Sequence, residues 1–136
     1  MLRLDSPFVN GDARGMGTRA IAFLATRNAD AARRFYEGTL GLELREETDF
    51  AIVFDAFGTM LRIQKTPDVK VAPYTAFGLE VDDIAQSLAT LIEKGVEPRI
   101  YPGLEQDSQG IWTAPSGARV AWFTDPDGHT VSLSQF

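Results

Sequence analysis

With 136 residues, of which 44% are hydrophobic and 24% charged, the chain has the size and composition of one globular domain that can bury a core. Its net charge of −6 argues against nucleic-acid binding, which needs clustered Lys and Arg, and its lack of cysteine excludes disulfides and thiolate metal sites. No apolar run approaches the roughly 20 residues of a membrane span, and the first residues lack a signal peptide's apolar stretch, so we expect a cytoplasmic protein that contacts no membrane.

The chain contains an internal repeat. Residues 1–16, rich in Gly, Asp and Asn, predict an N-terminal arm ahead of a single domain over residues 17–136. Within that domain, the segment AIAFLATRNADAARRFYEGTLGLEL from Ala20 aligns with TAFGLEVDDIAQSLATLIEKGVEPR from Thr75. Each segment predicts a strand, a polar hinge and an amphipathic helix. The repeat therefore predicts two similar halves, over about residues 18–66 and 73–135.

The same helix signals occur in both halves. Asn28 and Asp83 precede the helices and can accept a hydrogen bond from an unpaired N–H of the first turn. Gly41 and Gly95 follow at the place where a helix end favours a left-handed residue. Apolar residues recur at helical spacing, namely Ala31, Ala32, Phe35 and Tyr36 in the first half and Ile84, Leu88, Leu91 and Ile92 in the second.

Strand-like segments follow each helix. They are Leu42–Glu46, Phe50–Asp55 and Thr59–Gln64 in the first half and Glu97–Tyr101, Gly110–Ala114, Ala118–Thr124 and Thr130–Ser134 in the second. The second half has one segment too many, so either Glu97–Tyr101 or Gly110–Ala114 is expected to be irregular or an edge piece. The predicted fold is α+β, with two tandem βαβββ modules that form a curved mixed sheet around a cleft.

The sequence resembles a known family. The runs NADAARRFYEGTLGLEL, FGLEVDDIAQSLATLIEKGVEP and WFTDPDGHTVSLSQF are similar to the vicinal oxygen chelate superfamily of glyoxalases, extradiol dioxygenases and bleomycin or fosfomycin resistance proteins, over about residues 18–136. The resemblance implies that metal-dependent members carry His, Gln or Glu ligands on four strands. The matching positions here are Ile21, Arg62, Ala76 and Ser132, and none is a good ligand. We therefore expect neither a metal nor another cofactor.

The residues in and beside the DPDG turn are expected to belong to the turn and not to a metal site. The only histidine, His129, is predicted to be a solvent-facing turn residue, because it lacks the convergent partners that a site requires. Asp125 and Asp127 are expected to accept hydrogen bonds from the turn backbone.

The two-residue period of a strand predicts which side chains line the cleft. The expected binding residues are the inward-facing residues of these strands and the two tryptophans, namely Phe23, Met60, Arg62, Gln64, Glu80, Trp112, Trp122 and Ser132. Tyr74, Tyr101 and Phe54 are weaker candidates. Arg62 and Glu80 either form a salt bridge or orient a ligand, and Glu80 is a weak candidate for a general base.

Three functions remain open at this point. The leading hypothesis is a metal-independent small-molecule-binding protein that sequesters a drug or aromatic metabolite. The alternatives are a glyoxalase-like lyase or isomerase, or dioxygenase-like enzyme, and a degenerate module without a ligand. The resemblance also implies a homodimer, because relatives commonly complete the cleft with strands from two chains.

Overall fold

The computed structural model describes residues 17–136. The predicted N-terminal arm lies outside the described residues. The first module contains β1 (Ile21–Thr26), α1 (Ala29–Arg33) with a π-helical continuation (Arg34–Thr39), β2 (Glu43–Glu47), β3 (Ala51–Ala56) and β4 (Thr59–Lys65). The second contains β5 (Thr75–Glu80), α2 (Ile84–Glu93), β6 (Trp112–Thr113), β7 (Arg119–Thr124) and β8 (Thr130–Gln135).

The strands form two four-stranded mixed sheets with the same topology. The first sheet has the order β1-β4-β3-β2 and the second β5-β8-β7-β6. In each module the first strand is parallel to the last, and the other neighbours are antiparallel. This confirms the predicted α+β class and the two tandem βαβββ modules.

Both helices begin and end where local chemistry predicts. Oδ1 of Asn28 accepts a hydrogen bond from the N–H of Ala31, and Oδ1 of Asp83 accepts one from the N–H of Gln86, each at 3.1 Å. Gly41 and Gly95 have φ values of +75° and +98°. A residue with a Cβ would be strained in this left-handed conformation, so the two glycines let the chain turn back towards the sheet.

The segment after α2 departs from its predicted strands. Glu97–Tyr101 forms no strand, although the N–H of Arg99 donates to the carbonyl of Trp122 at 2.7 Å. Pro98 lacks an N–H, which disfavours a regular ladder here. Gly110–Ala114 is reduced to the two-residue edge strand β6. The prediction that one of these two segments is irregular is therefore confirmed for Glu97–Tyr101. The strand in Gly110–Ala114 is much shorter than predicted.

One hydrophobic core joins the two modules. Tyr36 lies fully buried within it, and its ring centroid lies 6.1 Å from that of Phe54 and 6.3 Å from that of Phe77, so it contacts a strand of each sheet. Phe54 is fully buried, which corrects its place among the weaker cleft candidates. Ile92, expected on the buried face of α2, is 39% exposed. Among residues 17–136, no helix is long and apolar enough to cross a membrane.

A buried polar cluster fastens the β7–β8 turn to the first module. Oδ1 of Asp125 accepts hydrogen bonds from the N–H groups of Asp127 and His129, both at 2.9 Å, as predicted for the turn. Oδ2 of Asp125 accepts one from the hydroxyl of Tyr36 at 2.7 Å. Asp127 differs from the expectation, because its Oδ1 accepts from the N–H of Arg27 in the other module.

The prediction for His129 is wrong. Its side chain is buried, with only 6% of the residue exposed, and Nε2 lies 2.7 Å from the carbonyl oxygen of Ala25. Because a carbonyl oxygen can only accept, Nε2 carries the proton and donates. His129 therefore joins the two modules by a hydrogen bond. The sequence placed it in a turn, but docking of the first module covers that turn.

Candidate functional site on the open sheet faces

The first sheet has one face in the core and one open face. Leu24, Leu61 and Ile63 point into the core with at most 7% exposure, whereas the alternating residues Phe23 and Met60 are 54% and 43% exposed. The predicted alternation is therefore present in β1 and β4. Large apolar side chains on an open face usually mark a contact with a ligand or another protein.

The strand register places Arg62 in the middle of this open face. Arg62 pairs with Phe23 on β1 and with Val53 on β3, and Gln64 follows two positions later opposite Ala25. Met60 lies on the other side, opposite Asp55. A groove of about 780 Å³ runs along the Met60 end of the face.

The acid nearest in register to Arg62 on this face is already paired. Oδ2 of Asp55 accepts a hydrogen bond from Nη2 of Arg45 at 3.2 Å, and its Oδ1 accepts one from the N–H of Gly58 at 2.8 Å. Among residues 17–136, no carboxylate lies within 4.0 Å of the Arg62 guanidinium. Within residues 17–136, the half-buried guanidinium therefore has no acidic partner on the open side of the sheet.

The second sheet presents an aromatic cluster on its open face. The rings of Trp112 and Trp122 lie 6.2 Å apart, and Tyr101 meets Trp122 edge-on at 5.4 Å. The guanidinium of Arg99 lies 5.5 Å from the centre of the Tyr101 ring. Tyr101 thus belongs with the two tryptophans, whereas Tyr74 is 69% exposed just before β5.

Ser132 and Glu80 lie on the same face of the second sheet as this cluster. Ser132 on β8 is the register partner of both Trp122 on β7 and Gly78 on β5. A Cβ added to Gly78 would lie 2.7 Å from Oγ of Ser132, so a larger residue here would force the serine side chain to move. Glu80 follows two residues later on the same face and is exposed. Sequence reasoning did not predict that Gly78 makes this close approach, although a glycine inside a strand is the usual signal for one.

Arg62 and Glu80 lie on different sheets, and no ion pair joins them within the described chain. The expected salt bridge is therefore not formed within one chain. The buried faces of both sheets contribute to the shared core, so each open face is turned away from that core. The two-residue period of the strands predicts that both residues lie on open faces, but it does not predict how the two faces are oriented relative to each other.

The residues at the four positions that the resemblance pairs with metal ligands do not fit a metal. Ile21 and Ala76 have no donor atom, the Arg62 guanidinium repels cations, and the Ser132 hydroxyl is a weak ligand. In the part of the chain that the structure describes, no three His, Cys, Asp or Glu side chains converge on a point that could hold a metal ion. No chemistry is assigned to a metal at this site.

A second groove, of about 650 Å³, lies beside α2 near the tip of the β3–β4 hairpin. It shares Glu80 with the open face, and of its two carboxylates at the helix start, Asp82 and Asp83, the second already caps α2. The aromatic rings and the Arg62 guanidinium lie on the sheet faces instead. We therefore place the candidate site on those faces.

Comparisons with known proteins agree with this architecture. Residues 18–133 match the family described as the Glyoxalase/Bleomycin resistance protein/Dioxygenase superfamily. No curated protein matches the chain with significant similarity.

Several solved structures share the fold. A bleomycin resistance determinant encoded on the transposon Tn5 is 21% identical, with a TM-score of 0.68 over 87% of this chain and 97% of that chain. A glyoxalase/bleomycin resistance protein from Catenulispora acidiphila is 24% identical, with a TM-score of 0.65 over 88% and 99%. Lactoylglutathione lyase from Agrobacterium tumefaciens is 16% identical, with a TM-score of 0.67 over 88% and 93%. At these identities the likeness shows the fold alone.

Proposed function

Because the chain belongs to the glyoxalase/bleomycin resistance protein/dioxygenase superfamily, we propose that it is a small-molecule-binding protein that holds an aromatic or amphipathic compound on its open sheet faces without a catalytic metal. The observation that carries the proposal is the exposed Phe23 ring on the edge strand β1, beside Arg62, on a sheet face that the core does not cover. Aromatic side chains with a few placed polar groups are typical of sites for small planar ligands.

The second sheet supports the same proposal. Trp112, Trp122 and Tyr101 form an aromatic surface, with the Arg99 guanidinium against Tyr101, and Ser132 and Glu80 lie on the same face of the sheet. An aromatic ring of a ligand can stack on such a surface while the hydroxyl and carboxylate orient its polar substituents. Tryptophan fluorescence gives a direct signal for occupancy of this face.

The exposed carboxylate of Glu80 on this face favours a second candidate, a glyoxalase-like lyase or isomerase. In that case Glu80 would remove a proton from a bound substrate as a general base. Binding and turnover can be separated by one comparison. A sequestered compound is recovered unchanged, whereas a substrate is consumed and Glu80→Gln stops its consumption without abolishing binding.

We expect a screen of planar drugs and aromatic metabolites to yield compounds that quench tryptophan emission and raise the melting temperature. A compound present at a hundred times its Kd adds about 2.7 kcal/mol to the free energy of unfolding. Phe23→Ala should weaken binding about tenfold or more, because it removes most of one aromatic contact surface. The matched control is Phe50→Ala, which removes a ring that is 78% exposed outside the strands.

Elemental analysis of the protein after dialysis tests the proposal that the site holds no catalytic metal. We expect Zn, Ni, Fe and Mn far below one ion per chain. About one tightly held ion per chain would contradict that expectation. Equal binding by the parent and Phe23→Ala would instead place the ligand elsewhere and overturn the assignment of the site.

We further propose a homodimer in which the open faces of the two chains enclose the ligand. β1 and β5 are edge strands of their sheets, and unpaired edges with apolar faces favour association. Sedimentation at micromolar concentration should therefore give twice the 14.9 kDa mass of one chain. Phe23→Glu should shift the dimer towards monomers, and Phe50→Glu should not. A single 14.9 kDa species for the parent would exclude the dimer.

A further inference from the structure

The open face of the first sheet combines a cation with an exposed aromatic ring. We propose that this face binds planar aromatic acids, with the carboxylate held by Arg62 and the ring packed on Phe23. This inference rests on the proposed function, since it names the class of ligand that the same site takes.

The guanidinium of Arg62 favours a ligand with a carboxylate. A guanidinium stays protonated at every accessible pH and presents its N–H donors in a planar fork that matches a carboxylate in two parallel hydrogen bonds. In the described part of the chain the face offers no such partner, because Asp55 is paired with Arg45 and with the N–H of Gly58. Glu46 lies on the far side of Val53 in the register, and its carboxylate is not within 4.0 Å of the guanidinium.

The residues beside Arg62 favour a ligand with an aromatic ring. Phe23, its direct partner on β1, is 54% exposed, and Val53, its partner on β3, is apolar. Adjacent strands are about 4.8 Å apart, so a ring that packs against Phe23 places a carboxyl substituent within reach of the guanidinium. A purely apolar ligand would leave this half-buried cation without a partner, which costs binding energy.

The overall negative charge of the chain does not oppose this assignment. At physiological ionic strength, interactions between exposed charges are largely screened beyond about 8 Å. A carboxylate held by Arg62 is in direct contact with the guanidinium, where screening is weakest. The net charge of −6 lowers the rate at which an anion arrives more than the strength with which it is then held.

Three probes of the same size test the proposal. 2-Naphthoate, 2-naphthamide and 2-naphthylmethylamine share one ring system and differ in charge, and their binding to the full chain is measured by calorimetry. We expect 2-naphthoate to bind at least about tenfold more tightly than the amide, and the amine to bind more weakly still.

Variants assign the preference to Arg62. Arg62→Gln should remove at least about tenfold of the affinity for 2-naphthoate and change that for the amide by less than about twofold. Arg62→Lys, which keeps the charge and loses the fork, should lie between the parent and Arg62→Gln. Arg34→Gln removes the same charge from an exposed helix position and should change neither affinity. Melting curves establish that each variant is folded.

The outcomes separate this inference from the proposed function. Equal affinity of the parent for all three probes, or a preference for the amine, overturns the inference and leaves ligand binding intact. Binding of 2-naphthoate only after Glu80→Gln would show that a partner's Glu80 occupies the guanidinium, which also overturns it. Failure of every probe and of the wider screen overturns the proposed function itself.

Discussion

Replacing Asp125 with alanine should lower the free energy of unfolding by about 3 kcal/mol, because a buried polar donor that loses its acceptor costs about 1–3 kcal/mol. Asp125 is 6% exposed, and its two oxygens accept hydrogen bonds from two backbone N–H groups and from the Tyr36 hydroxyl. The alanine variant leaves all three donors unpaired at the joint between the modules. Urea or guanidinium denaturation measures the change.

Asp125→Asn is the matched control for that variant. Its Oδ1 can accept the same two backbone N–H groups, and its Nδ2 can donate to the Tyr36 oxygen. Burial raises the pKa of Tyr36, mainly by penalising the charged phenolate, so the hydroxyl stays protonated across the accessible range. Because the buried Tyr36 hydroxyl then has no acceptor for its own hydrogen, we expect the asparagine variant to lose about 1–2 kcal/mol, less than the alanine variant. A loss as large as that of Asp125→Ala would contradict this account.

The asparagine control also predicts a difference in pH dependence. Burial raises the pKa of Asp125, although the Tyr36 hydrogen bond and His129 partly oppose this. The folded state therefore holds the proton to a higher pH than the unfolded state, whose pKa is about 3.9. This contribution is present in full below pH 3.9 and is lost as pH rises through the folded pKa. The stability of Asp125→Asn relative to the parent should rise over that window and then stay constant. Parallel profiles would contradict the assignment.

Replacing His129 with leucine should lower the free energy of unfolding by about 2 kcal/mol. The leucine retains apolar volume but removes the Nε2 donor, which leaves the half-buried carbonyl of Ala25 without this partner. Because that hydrogen bond joins β8's turn to β1, the amide groups at the end of β1 should also exchange faster with solvent. Thermal or denaturant unfolding and hydrogen exchange measure the two effects.

His129→Gln is the control, since its side-chain amide can donate to the same carbonyl. It should recover at least half of the lost stability. If the leucine variant is as stable as the parent, the histidine does not tie the modules together, and its burial has no energetic role.

The sequence by itself determined the features that depend on local chemistry. Asn28 and Asp83 cap the helices because a short side-chain oxygen reaches the first-turn N–H groups, and Gly41 and Gly95 end them because φ is positive there. The two-residue period of β1 and β4 likewise placed Phe23, Met60 and Arg62 on one face, since successive side chains of a strand point to opposite sides.

Only the tertiary structure decided how the modules and their faces are arranged. His129 is buried because the end of β1 docks over its turn, and nothing in the DPDGH run encodes that distant carbonyl. Arg62 and Glu80 stay apart because both sheets turn their buried faces to one core. These relations join residues that are far apart in the chain. They depend on which surfaces bury the most apolar area together, whereas a periodic pattern reports only which side of its own strand or helix a residue occupies.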